Sequence, residues 1–206
     1  MHLLSLLLAI AALALLTTFA ALFGGASHVV GYSIFGSSLV LFYLVRSVLV
    51  YSRKPTRKER LQKWDHTMIY LLTAATYSPV TLLLPERGWG WSIFGVVWGL
   101  ALLATIFRLF TSMSPKRVTL GLYSLLLILD IVAFSTVHPF LTQSTIFWFT
   151  LGGAAYLFET FLVVSRPALP TLFKNPHFVR AHETLAFPFV ILGSFSHFWA
   201  LLTILD

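Results

Sequence analysis

The sequence has no cysteine and very few charged residues. Without cysteine the chain forms no disulfide and offers no thiolate to a metal ion. Charged residues make up 10% of the chain, against roughly 25% in an ordinary soluble domain. Hydrophobic residues make up 58% and are distributed along the whole sequence. This composition predicts a protein whose solvent is the lipid bilayer.

The motifs of common soluble enzymes are also absent. The sequence contains no glycine-rich phosphate loop, no G-x-S-x-G elbow and no H-E-x-x-H zinc motif. Its net charge is +7, but no basic face with interleaved aromatic residues lies outside the apolar segments. Basic residues in a membrane protein usually report topology instead. We therefore expect membrane lipids, and no nucleic acid, as partners.

Apolar segments of about 18 to 22 residues recur along the chain, the length that spans ~30 Å as a helix. We predict an all-α integral membrane protein, a seven-transmembrane-helix bundle that forms a single domain over residues 1–206. The first segment lacks a basic n-region and a clear cleavage site, so we interpret it as a retained helix. The segments are Leu3–Phe23, Val29–Val50, Thr67–Leu84, Trp91–Phe110, Val118–Val137, Thr145–Val164 and Thr184–Leu205.

Basic residues cluster in alternate loops between these segments. Six lie between Arg53 and Lys63, and others follow the fourth and sixth segments, whereas the remaining loops hold only Arg87. Loops rich in lysine and arginine stay on the cytoplasmic side. The pattern predicts a cytoplasmic N-terminus and a C-terminus outside.

The run from Asp65 to Pro79 resembles the third transmembrane helix of the hemolysin III family, within the progestin and adiponectin receptor superfamily. Shorter matches support it: Gly31-Tyr32-Ser33 onward, Gly95 to Leu102, Gly152-Gly153 with Tyr156, and Gly193-Ser194 with His197. The resemblance covers nearly the whole chain. It implies a multi-pass protein of the bacterial inner (plasma) membrane with the superfamily's seven-helix fold.

The resemblance also implies a zinc site, which can be compared position by position. Ser47 and Asp65 match the family pattern, and His2 is a candidate for a further family histidine. The histidine expected four residues after Ser47 is Tyr51, and the expected His-x3-His pair falls on Glu183 and Phe187. Phenylalanine cannot bind zinc, and neutral tyrosine is a poor ligand. A three-histidine zinc site is therefore expected to be lost.

Two interpretations remain for the histidines near these positions. Asp65, His66, His182 and Glu183 would form a rearranged metal site if the helices shifted slightly. Neighbouring residues on a helix point about 100° apart, which makes it hard for both members of a pair to face inward. In the alternative interpretation, His66 and His182 are interfacial residues that face water or hydrogen-bond locally.

The side chain of Arg46 is a candidate cation for this part of the protein, with no metal ion involved. Arg46 precedes Ser47 and lies about 8 Å inside the membrane if Tyr51 marks the inner edge. Glu159 lies at a comparable depth, and an unpaired charge there is costly. We hypothesise that Arg46 pairs with Glu159 or Asp65 near the vacated zinc position. The alternative is that Arg46 extends to the lipid headgroups.

Three functions are compatible with these observations. The first is a non-catalytic lipid-binding or membrane-homeostasis role, in which helices kinked at Pro79 and Pro188 enclose an acyl chain. The second, implied by the resemblance, is a metal-dependent hydrolase of a lipid amide, with Asp65 handling protons beside Ser47. The third is a pore-forming cytolysin, although no segment carries the polar stripe of a water-filled conduit. Zinc is disfavoured as a cofactor, and the oligomeric state stays open.

Overall fold

The chain is described by a computed structural model that covers residues 2–110, 128, 131–165 and 176–205, without the side chains of 160, 163–165 and 176–185. Helices account for nearly all of these residues, and no strand occurs among them. The helices are α1 (His2–Phe23), α2 (Ala26–Tyr51), α3 (Pro55–Leu83), α4 (Arg87–Phe110), α5 (131–137, followed by the 3-10 turn His138–Phe140), α6 (Gln143–Ser165) and α7 (Pro176–Leu202).

Within the described ranges, α1, α2 and α4 are long and apolar enough to cross a membrane by themselves. Their lipid-facing residues include Leu8, Leu41 and Leu103, whose side chains are exposed although they are large and apolar. Such surfaces are stable in lipid and not in water. The chain is therefore an all-α membrane protein, as its composition predicts.

Helix α3 runs through the interior, packed between α2 and α4. Its residues from Asp65 to Thr81 are mostly buried. It carries several hydroxyl side chains, and these bond back to their own helix. Thr76 Oγ1 donates to the carbonyl of Leu72 at 2.9 Å, and Ser78 Oγ donates to that of Ala74 at 3.1 Å. Apolar neighbours shield this polar helix from lipid, where exposed polar groups are costly.

Glycines bring the first helices close together. A Cβ added at Gly31 would lie 2.6 Å from Pro79 Cα, and one added at Gly36 would lie 2.6 Å from Leu13 Cδ1. Gly31 therefore allows α2 to approach α3 at its internal proline. Gly36 does the same between α2 and α1, as small residues do in membrane helix pairs.

Two predicted boundaries are wrong. Helix α3 begins at Pro55 and not at Thr67, and α7 begins at Pro176 and not at Thr184. Hydropathy marks where a helix is in lipid, whereas a helix with a solvated charged end continues beyond it. Proline at the first turn is well tolerated because its missing N–H needs no partner there. Most of the predicted fifth segment, Val118–Val137, lies outside the described residues.

Candidate functional site

Three charged side chains from three helices meet in the interior; we call Arg46, Asp65 and Glu159 the charge cluster. Arg46 Nε lies 3.1 Å from Asp65 Oδ1, and its second donor, Nη2, lies 3.3 Å from Asp65 Oδ2. The same Nη2 lies 3.7 Å from Glu159 Oε1. The two-point contact with Asp65 is the geometry in which a guanidinium binds a carboxylate most strongly.

The charge cluster is largely shielded from the surroundings. Side-chain exposure is 16% for Arg46, 9% for Asp65 and 5% for Glu159. The guanidinium carbon of Arg46 also lies 5.0 Å from the ring centre of Phe42, one turn earlier on α2. Arg46 therefore points into the bundle, and the alternative in which it extends to the headgroups is wrong: two buried carboxylates attract it more than distant headgroups do.

Ser47 connects α2 to the start of α1. Its Oγ donates to the carbonyl oxygen of His2 at 3.2 Å. The His2 ring packs on the Phe187 ring with 4.4 Å between their centres, and Phe187 is buried. The Ser47 hydroxyl is thus bonded to a backbone oxygen and not to a base that would activate it. These contacts provide packing between helix ends and not a nucleophile.

Among the implied zinc positions, the residues whose side chains the structure describes do not fit a zinc ion. Tyr51 is 61% exposed at the end of α2, Phe187 has no donor atom, and Asp65 is engaged by Arg46. No group of three or more possible metal ligands occurs among the described side chains. The positively charged guanidinium in front of Asp65 would repel a metal cation.

The rearranged metal site stays a prediction. Asp65 is buried and His66 is only partly buried, so the two side chains leave α3 in different directions. His182 and Glu183 belong to α7, but their side chains lie outside the described part of the structure.

Near the charge cluster, three hydroxyl groups meet; we call Tyr43, Tyr156 and Ser194 the hydroxyl cluster. Ser194 Oγ lies 3.0 Å from the hydroxyl of Tyr43 and 3.0 Å from that of Tyr156. Ser194 Oγ also donates to the carbonyl of Val190 at 2.8 Å. Because its one proton is used there, Ser194 accepts from Tyr156 and from Tyr43, whose hydroxyl also lies 3.5 Å from the carbonyl oxygen of Val190. Both tyrosine oxygens keep a lone pair that can accept a further hydrogen bond.

Helices α6 and α7 are close-packed beside this cluster. The rings of Tyr156 and His197 stack with 5.1 Å between centres and 14° between planes. His197 Nδ1 also lies 2.8 Å from the carbonyl oxygen of Gly193. His197 is therefore an interior residue that hydrogen-bonds within its own helix and packs against the ring of Tyr156.

An apolar cleft of about 260 Å³ lies between α1, α2 and α7. Helix α1 packs on α2 but barely touches α7, which leaves a gap between them. Exposed side chains such as Leu8 and Phe195 lie at its mouth, so it opens toward lipid, while Tyr43 and Ser194 lie at its inner wall. Its other lining residues are Ser5, Ala9, Ala11, Ala12, Leu15, Leu39, Ile191 and Phe198.

Sequence reasoning found the charged residues, but it placed the acyl-chain cavity at the prolines Pro79 and Pro188, neither of which lines the cleft. Arg46, Asp65 and Glu159 were candidates because charges inside a membrane segment are rare. The hydroxyl cluster and the cleft carry no such signal, because serine, tyrosine and alanine are ordinary in membrane helices. The only hint was that Tyr156 and Gly193-Ser194 belong to the stretches that carry the family resemblance.

The fold and the site define a class: a multi-pass α-helical membrane protein with a buried charge cluster and a cleft open to lipid.

The haemolysin-III related family model matches residues 1–198. The chain is 31% identical over 202 residues to the Hemolysin-3 homolog of Bacillus subtilis (strain 168), covering 98% of this chain and 89% of that protein. It is 31% identical over 150 residues to Hemolysin-3 of Bacillus cereus, covering 73% and 68% respectively. The chain belongs to the haemolysin-III related family. No solved structure matches it.

Proposed function

We propose that this protein binds a membrane lipid without transforming it, and that the cleft between α1, α2 and α7 holds one of the lipid's acyl chains. The observation that carries the proposal is the cleft itself: apolar walls, a mouth toward lipid, and hydroxyl groups at the inner wall. The oxygen atoms of the hydroxyl cluster can accept a hydrogen bond from a polar group of the bound lipid.

Affinity in this cleft has to come from shape and hydrogen bonding. The bilayer already solvates an acyl chain, so moving the chain into the cleft gains little hydrophobic free energy. Close packing against Leu39 and Phe198 and a hydrogen bond to Tyr43 are the terms that lipid does not supply. We therefore expect selectivity among lipids and only moderate affinity.

The side chains that the structure describes lend no support to catalysis on a lipid amide. Hydrolysis requires an activated water or nucleophile. Asp65 is held by Arg46, and the Ser47 hydroxyl donates to a backbone carbonyl. Neither group is placed to accept a proton from a reacting atom in the cleft.

We also propose that the protein resides in the inner (plasma) membrane of a bacterium. The two Bacillus relatives support this assignment. The distribution of basic residues supports a cytoplasmic N-terminus and an outer C-terminus.

The lipid-binding proposal is tested by photocrosslinking in vesicles. A phospholipid with a diazirine in its acyl chain should label α1 and α7 at cleft residues, as mapped by peptide mass spectrometry. Ala11→Phe places a large side chain at the cleft and should lower this labelling roughly tenfold, equivalent to about 1.4 kcal/mol.

Ala14→Phe is the matched control. Both alanines are exposed on α1, but only Ala11 lines the cleft. Equal labelling in the two variants, or labelling spread evenly over every lipid-facing helix, contradicts the proposal. Vesicle leakage combined with even labelling would favour the pore instead.

A further inference from the structure

We infer that Arg46 is a built-in cation: its guanidinium takes the place of the metal ion that the resembled site would hold, joins α2, α3 and α6, and makes the fold independent of metal. This role is separate from lipid binding, because it concerns the inner end of the bundle and not the cleft.

The argument begins with the two carboxylates. Asp65 on α3 and Glu159 on α6 have side chains that are 9% and 5% exposed, and both approach the same point. Two negative charges this deep repel each other and lose their hydration, so a cation between them is required for both to stay ionised. In this chain the group between them is the Arg46 guanidinium, 3.1 Å from Asp65 and 3.7 Å from Glu159.

Arginine suits this position better than lysine does. Its flat guanidinium presents several donors at fixed angles, so Nε and Nη2 can bind Asp65 while Nη2 also faces Glu159. It stays charged under all physiological conditions. Phe42, whose ring lies 5.0 Å from the guanidinium carbon, supports the group from the side.

The surrounding substitutions agree with this role. Tyr51 points outward, and Phe187 covers the His2 ring, so an apolar contact lies where the implied site has a ligand. Without the zinc ligands and without Arg46, Asp65 would be left as an unpaired buried charge. A side-chain cation cannot dissociate, so chelators should not affect the fold.

The test is thermal unfolding of the full chain in detergent, with and without EDTA and with added zinc. The midpoint of the wild type should not change with EDTA or zinc. Arg46→Met keeps an unbranched apolar stem, removes the guanidinium and its charge, and should lower the midpoint by roughly 6–20 °C. Arg60→Met is the control, because it is the same change at an exposed position of α3 and should shift the midpoint by about 2 °C at most.

A neutral triple variant shows whether charge is the cause. Arg46→Met combined with Asp65→Asn and Glu159→Gln removes the cation together with the charges it balances, and should recover most of the lost midpoint. If Arg46→Met does not accumulate, recovery of expression in the triple variant is the readout. Three results would overturn the inference: a wild-type midpoint that falls with EDTA, an Arg46→Met midpoint equal to wild type, or a triple variant no better than Arg46→Met.

Discussion

Ser194 is the side chain at which hydrogen bonds from three helices meet. Its oxygen accepts from tyrosines on α2 and α6 while its proton goes to the carbonyl of Val190. Three helices are therefore joined at one atom, in a region where water cannot replace a lost partner. Removing the oxygen affects two other buried polar groups at once.

Ser194→Ala should cost about 2 kcal/mol of unfolding free energy, because it removes the acceptor of the Tyr156 hydroxyl and leaves the Tyr43 hydroxyl with only the carbonyl oxygen of Val190, 3.5 Å away. Tyr43→Phe removes a donor together with its bond and should cost only about 1 kcal/mol. Chemical denaturation in detergent measures both. Ser92→Ala, an exposed serine whose Oγ bonds its own helix, is the control and should be close to neutral. A Ser194→Ala cost no larger than that of Ser92→Ala would contradict this role.

Sequence predicted part of these contacts and not the rest. The depth of Arg46 and Glu159 can be counted along their helices, and an intramembrane charge needs a partner, so pairing was foreseeable. Which carboxylate binds more closely depends on the rotation of each helix about its axis, and residue counting does not give this. The hydroxyl cluster joins residues 151 and 38 positions apart, with no charge to mark them.

The pair α6 and α7 depends on two glycines placed reciprocally. A Cβ at Gly152 would lie 2.5 Å from the His197 ring, and a Cβ at Gly193 would lie 2.5 Å from the Tyr156 ring. Because these two rings stack on each other, neither can move away without disturbing the other. The glycines set the distance between the helices and so hold the hydroxyl cluster in place.

Gly152→Ala and Gly193→Ala should each lower the unfolding free energy by about 1–3 kcal/mol through overpacking. Gly153→Ala is an adjacent control, since nothing lies within 4 Å of its added Cβ. It should be neutral or stabilising by up to about 1 kcal/mol, because alanine favours helix over glycine. Denaturation curves measure these changes. If Gly153→Ala lowered the unfolding free energy as much as the other two variants do, the spacing of α6 and α7 would not be the cause of the loss.

Helix existence was predictable from sequence, and helix ends were less so. Hydropathy found the apolar part of α3 but not its start at Pro55, because the basic residues before Asp65 look like a loop to a hydropathy scan. The proline itself is a helix-start signal. Given proper weight, that signal predicts that the basic cluster lies along a helix that extends beyond the membrane.

The basic residues predict how the whole bundle is oriented across the membrane. Those of the α3 extension should face the cytoplasm, and the start of α4 should face outward. Because the chain has no cysteine, single cysteines can report sidedness without a background.

Gly88→Cys should react with a membrane-impermeant maleimide on intact spheroplasts, and Arg57→Cys should react only after lysis. Both positions are exposed, near the starts of α3 and α4, which the predicted topology places on opposite sides of the membrane. The two variants should be labelled equally after lysis, which controls for reactivity. The reverse pattern on intact spheroplasts would overturn the predicted orientation.

The pairing of Arg46 with Asp65 also bears on how the chain enters the membrane. The two residues are 19 positions apart on consecutive helices, so they leave the ribosome almost together, long before Glu159. A charge that enters lipid alone is costly, and α3 is the most polar of the early helices. We expect α2 and α3 to insert as one helical hairpin whose charges are already paired, with α6 completing the cluster later. The order of synthesis would then match the order in which the charges are neutralised.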